Sequence, residues 1–170
     1  MNKVVSRGIR NNNPGNIRKG ESWKGLKFKQ TDSQFCQFIN MGWGLRALII
    51  TLRTYVLKHK LTNVNDIIHR WAPESDGNNT SSYVTYCASY MGFCIVDETD
   101  KTTDALQEGL NYKFTANDFY RSKGETPLVL YSLVKAICMM ECAYYLTYAE
   151  YCEVLDFING YVKTIKGTQR

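Results

Sequence analysis

The chain holds only three prolines among its 170 residues, so long extended linkers between separate domains are not expected. Its charged share of 22% and hydrophobic share of 44% are ordinary for a folded protein, which argues against a disordered chain. No apolar run reaches the roughly 18 residues of a membrane span. Residues 1–10 also contain no apolar stretch of a secretory signal. We therefore expect a single domain over residues 1–170 that is cytoplasmic at synthesis.

Side chains that commonly bind metal ions are few or badly spaced. The two histidines, His59 and His69, are isolated in the sequence. Without a secretion signal, the six cysteines are expected to be reduced thiols. Cys138 and Cys142 lie one helical turn apart, but no nearby histidine or further cysteine completes a tetrahedral zinc site. We therefore expect no metal site, and nothing in the sequence implies a cofactor.

The formal net charge is +5, with a pI near 8.8, which favours anionic partners. Nucleic acid, a membrane surface and bacterial wall polymers all qualify, and a solvated basic face is the alternative. The basic residues of the N-terminal region are Lys3, Arg7, Arg10, Arg18, Lys19, Lys24, Lys27 and Lys29. Because no DNA-binding motif accompanies them, nucleic acid is not the expected partner.

Hydrophobic spacing predicts a mainly helical protein. Apolar residues recur every three or four positions in several segments, as on one face of a helix. The predicted helices span residues 44–58, 64–71, 81–91, 103–110, 115–121, 127–143 and 147–163. Thr62 or Asn63 can cap the second helix, Thr126 can cap the helix from 127, and Thr147 with Glu150 has capping-box spacing.

The segment before the first of these helices is rich in Asn and Gly. Residues 11–16 read NNNPGN, a tight-turn signal, and strand-like pieces at 17–18 and 34–39 predict a small β-hairpin. Short amide side chains on an exposed turn can hydrogen-bond sugar hydroxyls and acetamido groups. The candidate sugar ligands are therefore Asn11, Asn12, Asn13 and Asn16. A structured turn with no ligand is the alternative.

Glu141 is the candidate catalytic residue. It lies in the predicted helix 127–143, which is apolar on almost all sides. An unpartnered carboxylate is costly to bury, and the helix dipole disfavours negative charge in the last turn, so both effects favour the neutral acid. Such an acid can donate a proton to the leaving oxygen of a glycoside. The alternative is a helix-end glutamate that faces solvent or pairs with a lysine.

Two carboxylates and three tryptophans are further candidates. Glu74 and Asp76 lie in a polar loop and are candidates for the second carboxylate of a glycosidase, with ordinary loop charges as the alternative. Trp23, Trp43 and Trp71 could stack on sugar faces, although a tryptophan belongs more often to a core.

The segment from Arg7 to Arg18 reads RGIRNNNPGNIR, which resembles the opening signature of a family of phage and prophage virion or endolysin proteins. Further pieces follow in the family's order. Residues 23–26 resemble its W-x-G-L, residues 35–38 its F-x-x-F and residues 44–47 its G-x-R-A. Residues 70–83 are similar to its R-W-A-P and N-x-T-x-x-Y stretch, although Asn79 and Thr80 are adjacent here. The resemblance covers about residues 7–92.

That family often ends with a helix that carries an H-E-N-G-like sequence. The corresponding residues here, 140–143, read MECA, so the glutamate is kept while its neighbours differ. The resemblance implies a lysozyme-like wall hydrolase with Glu141 as its acid. The alternative that it implies is a non-catalytic phage virion or wall-binding protein that keeps the fold.

A second resemblance is to bacterial glucosaminidases of the lysozyme-like superfamily. Those enzymes carry an N-N-x-F-G-I turn, W-x-G, F-x-x-Y/F and then a helix, and residues 12–17, 23–25 and 35–38 are similar in type and order. Their catalytic glutamate precedes the turn, whereas Glu141 follows it near the other end of the chain. The resemblance therefore implies a circularly rearranged chain, in which the final helices take the place of the usual first helix.

Together these observations predict a mainly α, lysozyme-like fold with a small β-hairpin, in a monomer. The expected activity is cleavage, hydrolytic or not, of the β-1,4 link between amino sugars in peptidoglycan glycan strands. Glu141 is the expected proton donor, and the Asn-rich turn with Arg18 and Trp23 is expected to bind the glycan. Trp71 and Tyr83 are expected to line the groove. The protein is expected to act at the cell wall after release or as part of a phage particle.

Overall fold

The computed structural model describes residues 5–95, 104–120 and 127–165, and it confirms a mainly α protein. The α-helices are α1 (Arg7–Arg10), α2 (Met41–Leu57), α3 (Val64–Trp71), α4 (Thr80–Gly92), α5 (Ala105–Asn111), α6 (Leu128–Cys142) and α7 (Tyr148–Ile158). Short 3₁₀ turns cover Glu74–Asp76 and Ala116–Phe119. Within these described ranges, no helix combines the length and the apolar character needed to cross a membrane.

Side-chain caps set several helix ends where the sequence places them. Asn63 accepts a hydrogen bond from the backbone N–H of Asp66 at 2.9 Å and begins α3. Thr147 and Glu150 form the predicted capping box at the start of α7. That helix ends at Ile158, before the predicted residue 163, because Gly160 turns the chain with a φ of +79°. The predicted cap Thr126 lies outside the described residues.

The predicted helix at 115–121 is a 3₁₀ turn over Ala116–Phe119 instead, and residue 121 lies outside the described residues. Thr115 and Asp118 form a capping box that closes this short turn. Helix α1 was not predicted, because four residues are too short to show helical periodicity.

The β-hairpin predicted around residues 17–39 is not confirmed. The structure has isolated antiparallel bridges there, from Arg18 to Phe35 and from Leu26 to Phe38. The backbone N–H of Gln37 donates to a side chain, Gln30 Oε1, at 2.7 Å. It is therefore not available for the backbone pairing that a hairpin would need. The extended segments are therefore held together without a continuous ladder.

The chain divides into two compact units. The first contains both ends of the chain, Met1–Ile50 and Ile137–Arg170, and the second is Thr51–Ala136. The division falls inside α2 and inside α6. The single domain and the lysozyme-like fold expected from the sequence stay predictions.

In the second unit, glycines let α4 and α5 pack with their backbones in contact. A Cβ atom added at Gly92 of α4 would overlap the carbonyl oxygen of Ala105. In the reciprocal position, a Cβ atom at Gly109 of α5 would overlap the carbonyl oxygen of Ala88. Glycine is therefore required at both places for a steric reason, because no other residue leaves that space empty.

We expect Gly109→Ala to lower the free energy of unfolding by about 1–3 kcal/mol, the usual cost of overpacking, although alanine favours helix more than glycine does. The control is Ser81→Ala at an exposed position of α4, where we expect a change within about 0.5 kcal/mol. Urea unfolding of both variants measures the difference. A Gly109→Ala variant as stable as the wild type would show that the two backbones do not lie this close.

Candidate functional site

Asn13 fixes the turn at residues 11–16 from inside. Its side chain is fully buried, and its Nδ2 donates to the carbonyl oxygens of Ile17 and Cys36, both at 2.9 Å. Its Oδ1 accepts from the backbone N–H of Ile17 at 2.8 Å. A buried amide left without partners would be costly, so these bonds hold the turn on the following extended segment. They are the contacts of a structured turn, the alternative that the sequence left open.

Asp32 ties the turn to the first helix. Its carboxylate accepts from Arg7 Nε at 2.7 Å and from Asn11 Nδ2 at 2.8 Å. The backbone N–H groups of Gln34 and Phe35 also donate to it, each at 3.0 Å. The hydrogen bond from Arg7, followed by those from Phe35, Asn11 and Gln34, holds the pKa of Asp32 far below its usual range. Asp32 is therefore a charged anchor of this region.

Sequence reasoning missed Asp32. The sequence around Asp32 indicates only a local turn. An aspartate followed by Ser33 and Gln34 is typical of a turn in which the aspartate side chain accepts from nearby backbone N–H groups. Its pairing with Arg7 and Asn11 joins residues that are distant in sequence, and no spacing pattern predicts such a pairing.

Asn12 holds the turn against the end of the bridged segments. Its φ of +51° is left-handed, which asparagine tolerates, and its Nδ2 donates to the carbonyl oxygen of Phe38 at 3.0 Å. A Cβ atom at Gly44 in α2 would overlap the carbonyl oxygen of Asn12. The turn and the start of α2 therefore pack in direct backbone contact.

Asn16 and Glu141 meet at the end of α6. Asn16 Nδ2 donates to Glu141 Oε2 at 3.0 Å and to the carbonyl oxygen of Glu141 at 3.1 Å. The φ of Asn16 is +44°, and its buried Oδ1 has no hydrogen-bond partner among the residues that the structure describes. If the Asn16 amide were flipped, its Oδ1 would face the carboxylate and the backbone carbonyl of Glu141, which are both acceptors. The position of Glu141 therefore selects the observed orientation of the amide. The structure thus brings two of the sequence candidates together.

The surroundings of Glu141 differ from those expected. The sequence leaves open a buried carboxylate without a partner and a helix-end glutamate that faces solvent or pairs with a lysine. The observed side chain is half-buried and bonded to the Asn16 amide, which matches neither alternative fully. The difference arises because α6 ends one residue later, at Cys142, where the chain turns through Ala143 with a φ of +55°. The end of a helix is more open than its middle.

A second side chain caps the same helix end. Ser6 Oγ donates to the carbonyl oxygen of Cys142 at 2.9 Å. Gly8 of α1 lies so close that an added Cβ atom would come within 2.7 Å of Cys142 Cβ. Helix carbonyls in the last turn have no partner within the helix, so Ser6 and Asn16 satisfy two of them.

The cysteines beside this site are poor nucleophiles. Burial raises the pKa of the Cys142 thiol to about 11 and that of the Cys138 thiol well above its usual value. Across the described parts of the chain, no group of three or more His, Cys, Asp or Glu side chains is placed to hold a metal ion. Glu141 stays the candidate acid at this place.

The other candidates of the first unit lie around the turn. Arg18 is exposed and sits over the Phe35 ring, with 5.3 Å between its Cζ and the ring centroid. Trp23 is half-buried. Asn11 and Asn13 are both buried, and their amides bond within the protein. Sugar binding by these residues stays a prediction.

The remaining candidates belong to the second unit. Glu74 and Asp76 are exposed in their 3₁₀ turn. Trp71, at the end of α3, is half-buried beside Tyr55, with 6.4 Å between ring centroids. Tyr83 is buried in α4. A second carboxylate and a groove lined by Trp71 and Tyr83 stay predictions.

Acid should weaken the anchor at Asp32. The folded pKa lies below the unfolded value of about 3.9, so on acidification the unfolded chain takes up the proton first. The stability that Asp32 contributes is complete above about pH 5 and is lost as the pH falls through 4 and below. We expect Asp32→Asn to flatten the dependence of Tm on pH in this range. Glu21→Gln, at an exposed carboxylate, is the control, and an equal flattening in both variants would contradict the anchor.

A partial relative was found among known proteins. Over 92 residues the chain is 40% identical to Protein P5 of Pseudoalteromonas phage PM2. The match spans 52% of this chain and 57% of that relative, so each protein extends well beyond the shared part. No protein-family model matches the chain. A phage protein is therefore a partial homologue of this chain.

Proposed function

We propose that the chain is a peptidoglycan glycosidase with Glu141 as its general acid, and that the hydrogen bond from Asn16 Nδ2 to Glu141 Oε2 carries this assignment. A general acid works only when its proton is held in a fixed direction toward the reacting oxygen. An amide donor on one carboxyl oxygen supplies such a constraint. The similarity to a phage protein is compatible with an enzyme that opens a bacterial wall.

Asn16 decides which oxygen carries the proton in this proposal. In the neutral acid, the carbonyl oxygen accepts the Asn16 N–H, so the carbonyl oxygen is Oε2 and the hydroxyl is Oε1. The acidic proton then sits on the carboxyl oxygen that does not accept from Asn16 Nδ2. Asn16 thereby acts as a positioning residue, and Glu141 is the group that touches the substrate.

The reaction that the first unit supports by itself needs a single carboxyl group. Glu141 protonates the oxygen that links two amino sugars, and the bond from that oxygen to C1 breaks. The 6-hydroxyl of the same muramyl residue attacks C1, and its proton returns to the Glu141 carboxylate. No water is consumed, and the acid ends in its starting state. This non-hydrolytic route is one of the two routes that the sequence leaves open.

A hydrolytic route needs a second carboxylate as a base. Glu74 and Asp76 are the nominees from sequence, and their exposure leaves them accessible to water. Arg18 and Trp23 are proposed to contact the glycan, because both lie on segments adjoining the turn that carries Asn16. Tyr83, Asn11 and Asn13 are buried, and no step of the proposed reaction depends on a contact from them.

The second candidate function is a phage particle or wall-binding protein without catalysis. One observation favours it: Asn16 Nδ2 also bonds the backbone carbonyl of Glu141 at 3.1 Å. That bond satisfies the helix end whether or not the side chain reacts. In this alternative the contact is structural, and the protein binds wall without cleaving it.

The first test measures clearing of purified wall by the wild type and by Glu141→Gln. The amide keeps the shape of the acid but has no acidic proton to transfer, so we expect a loss of at least about 100-fold, the lower range for a general acid. Glu21→Gln, an exposed carboxylate of the same unit, should clear at the wild-type rate. Wall that stays intact with the wild type, while the protein co-sediments with it, would select the binding function.

The second test separates positioning from folding. Asn16→Gly keeps the left-handed φ but removes the amide, and Asn12→Gly makes the same change on the same turn. We expect similar losses of stability by thermal unfolding, about 1–2 kcal/mol each for the lost hydrogen bonds. Clearing should fall about tenfold or more in Asn16→Gly alone. Equal clearing by both variants would remove Asn16 from the mechanism.

A further inference from the structure

Phe28 projects fully into solvent at the tip of a loop. Its relative exposure of 108% means that no part of the ring is covered. Single exposed apolar residues are common on protein surfaces, so exposure alone carries no conclusion. What distinguishes Phe28 is the loop that holds it and the charges around it. We call residues 24–30 the Phe28 loop.

The backbone of the Phe28 loop is fixed. Gln30 Nε2 donates to the carbonyl oxygen of Lys27 at 2.9 Å, and this bond joins the two residues that flank Phe28 and Lys29. The same Nε2 donates to the carbonyl oxygen of Gln37 at 2.7 Å, which ties the loop to the paired segment. At the base, Ile39 N–H donates to the carbonyl oxygen of Gly25 at 2.9 Å. Phe28 is therefore presented by a preorganised loop, and an inserting ring would lose little backbone entropy on binding.

Lysines flank Phe28 closely along the chain. Lys24, Lys27 and Lys29 belong to the Phe28 loop, and residues 24–31 contain no acidic side chain. The nearest acids along the chain are Glu21, exposed before the loop, and Asp32 after it, whose charge is compensated by Arg7 at 2.7 Å. The loop therefore combines an apolar tip with cations on both sides.

We propose that the Phe28 loop binds the surface of an anionic phospholipid bilayer. Phe28 enters the boundary between headgroups and acyl chains, and Lys24, Lys27 and Lys29 bind lipid phosphates. The aliphatic stems of the lysines follow the ring into the boundary while their ammonium groups stay in water. The binding is peripheral, and it does not depend on the glycosidase proposed above.

The apolar groups of this region fit lipid better than nucleic acid. Sites for single-stranded nucleic acid stack successive bases on several aromatic rings. Among residues 18–35, all of which the structure describes, Phe28 is the only large apolar side chain that is exposed. The exposed apolar neighbour on the paired segment is Ile39, which has no ring for stacking but can enter a hydrocarbon layer.

The test is co-sedimentation of the full chain with vesicles of phosphatidylcholine, with and without phosphatidylglycerol. We expect binding to the anionic vesicles alone, weakened by salt because the attraction is electrostatic. Phe28→Ser should lower the partition coefficient on the order of tenfold, from the transfer free energy of the ring. Lys27→Gln and Lys29→Gln should each lower it roughly fivefold. No change in Tm is expected for Phe28→Ser, because the ring is uncovered.

The matched controls are Phe93→Ser and Lys58→Gln, at exposed positions outside the Phe28 loop, and both should bind as the wild type does. Equal binding to neutral and anionic vesicles, or wild-type binding by Phe28→Ser, would overturn the proposal. So would failure to bind either vesicle. Binding of single-stranded DNA that is lost in Phe28→Ser, with no vesicle binding, would assign the loop to nucleic acid instead.

Discussion

One amide group joins the Asn-rich turn to the end of α6 in the first unit. Asn16 Nδ2 donates both to the carboxyl group and to the backbone carbonyl of Glu141, at 3.0 and 3.1 Å. The last carbonyls of a helix need partners from outside the helix, and Asn16 and Ser6 supply them to α6. The candidate acid is therefore positioned by the same contacts that close its helix. Because Asn16 bonds Glu141 directly, a shift of the turn would move the donor of the carboxyl group itself.

The rest of the turn makes that contact rigid. Asn13 is buried with its amide bonded to the backbone of Ile17 and Cys36, and Asp32 binds Arg7 and Asn11. Buried amides and carboxylates are costly without partners, so these bonds cannot be exchanged for water at low cost. The asparagines of the turn therefore have different roles. The buried Asn11 and Asn13 hold the turn in place, while Asn16 bonds Glu141.

The sequence predicted what depends on local pattern. Periodicity located α3 with its observed bounds, and the spacing of Thr147 and Glu150 predicted the capping box of α7. A resemblance implied that the helix of Glu141 lies near the Asn-rich turn, but the pairing of Glu141 with Asn16 was not predicted, because no local rule joins residues so far apart in a chain. The environment of Glu141 was left open, since periodicity assigns a face but does not show how open a helix end is. Asp32 was missed because its partners are distant in sequence.

The chemistry proposed for Glu141 is tested most directly by the new ends that it would create in a glycan strand. Purified wall is incubated with the protein, and the released fragments are identified by mass spectrometry. Proton donation by Glu141 with attack by the muramyl 6-hydroxyl predicts fragments that end in a 1,6-anhydro sugar, lighter by one water than hydrolytic ends. Fragments with ordinary reducing ends would contradict the one-carboxyl route. Glycan strands of unchanged length would contradict a glycosidase altogether.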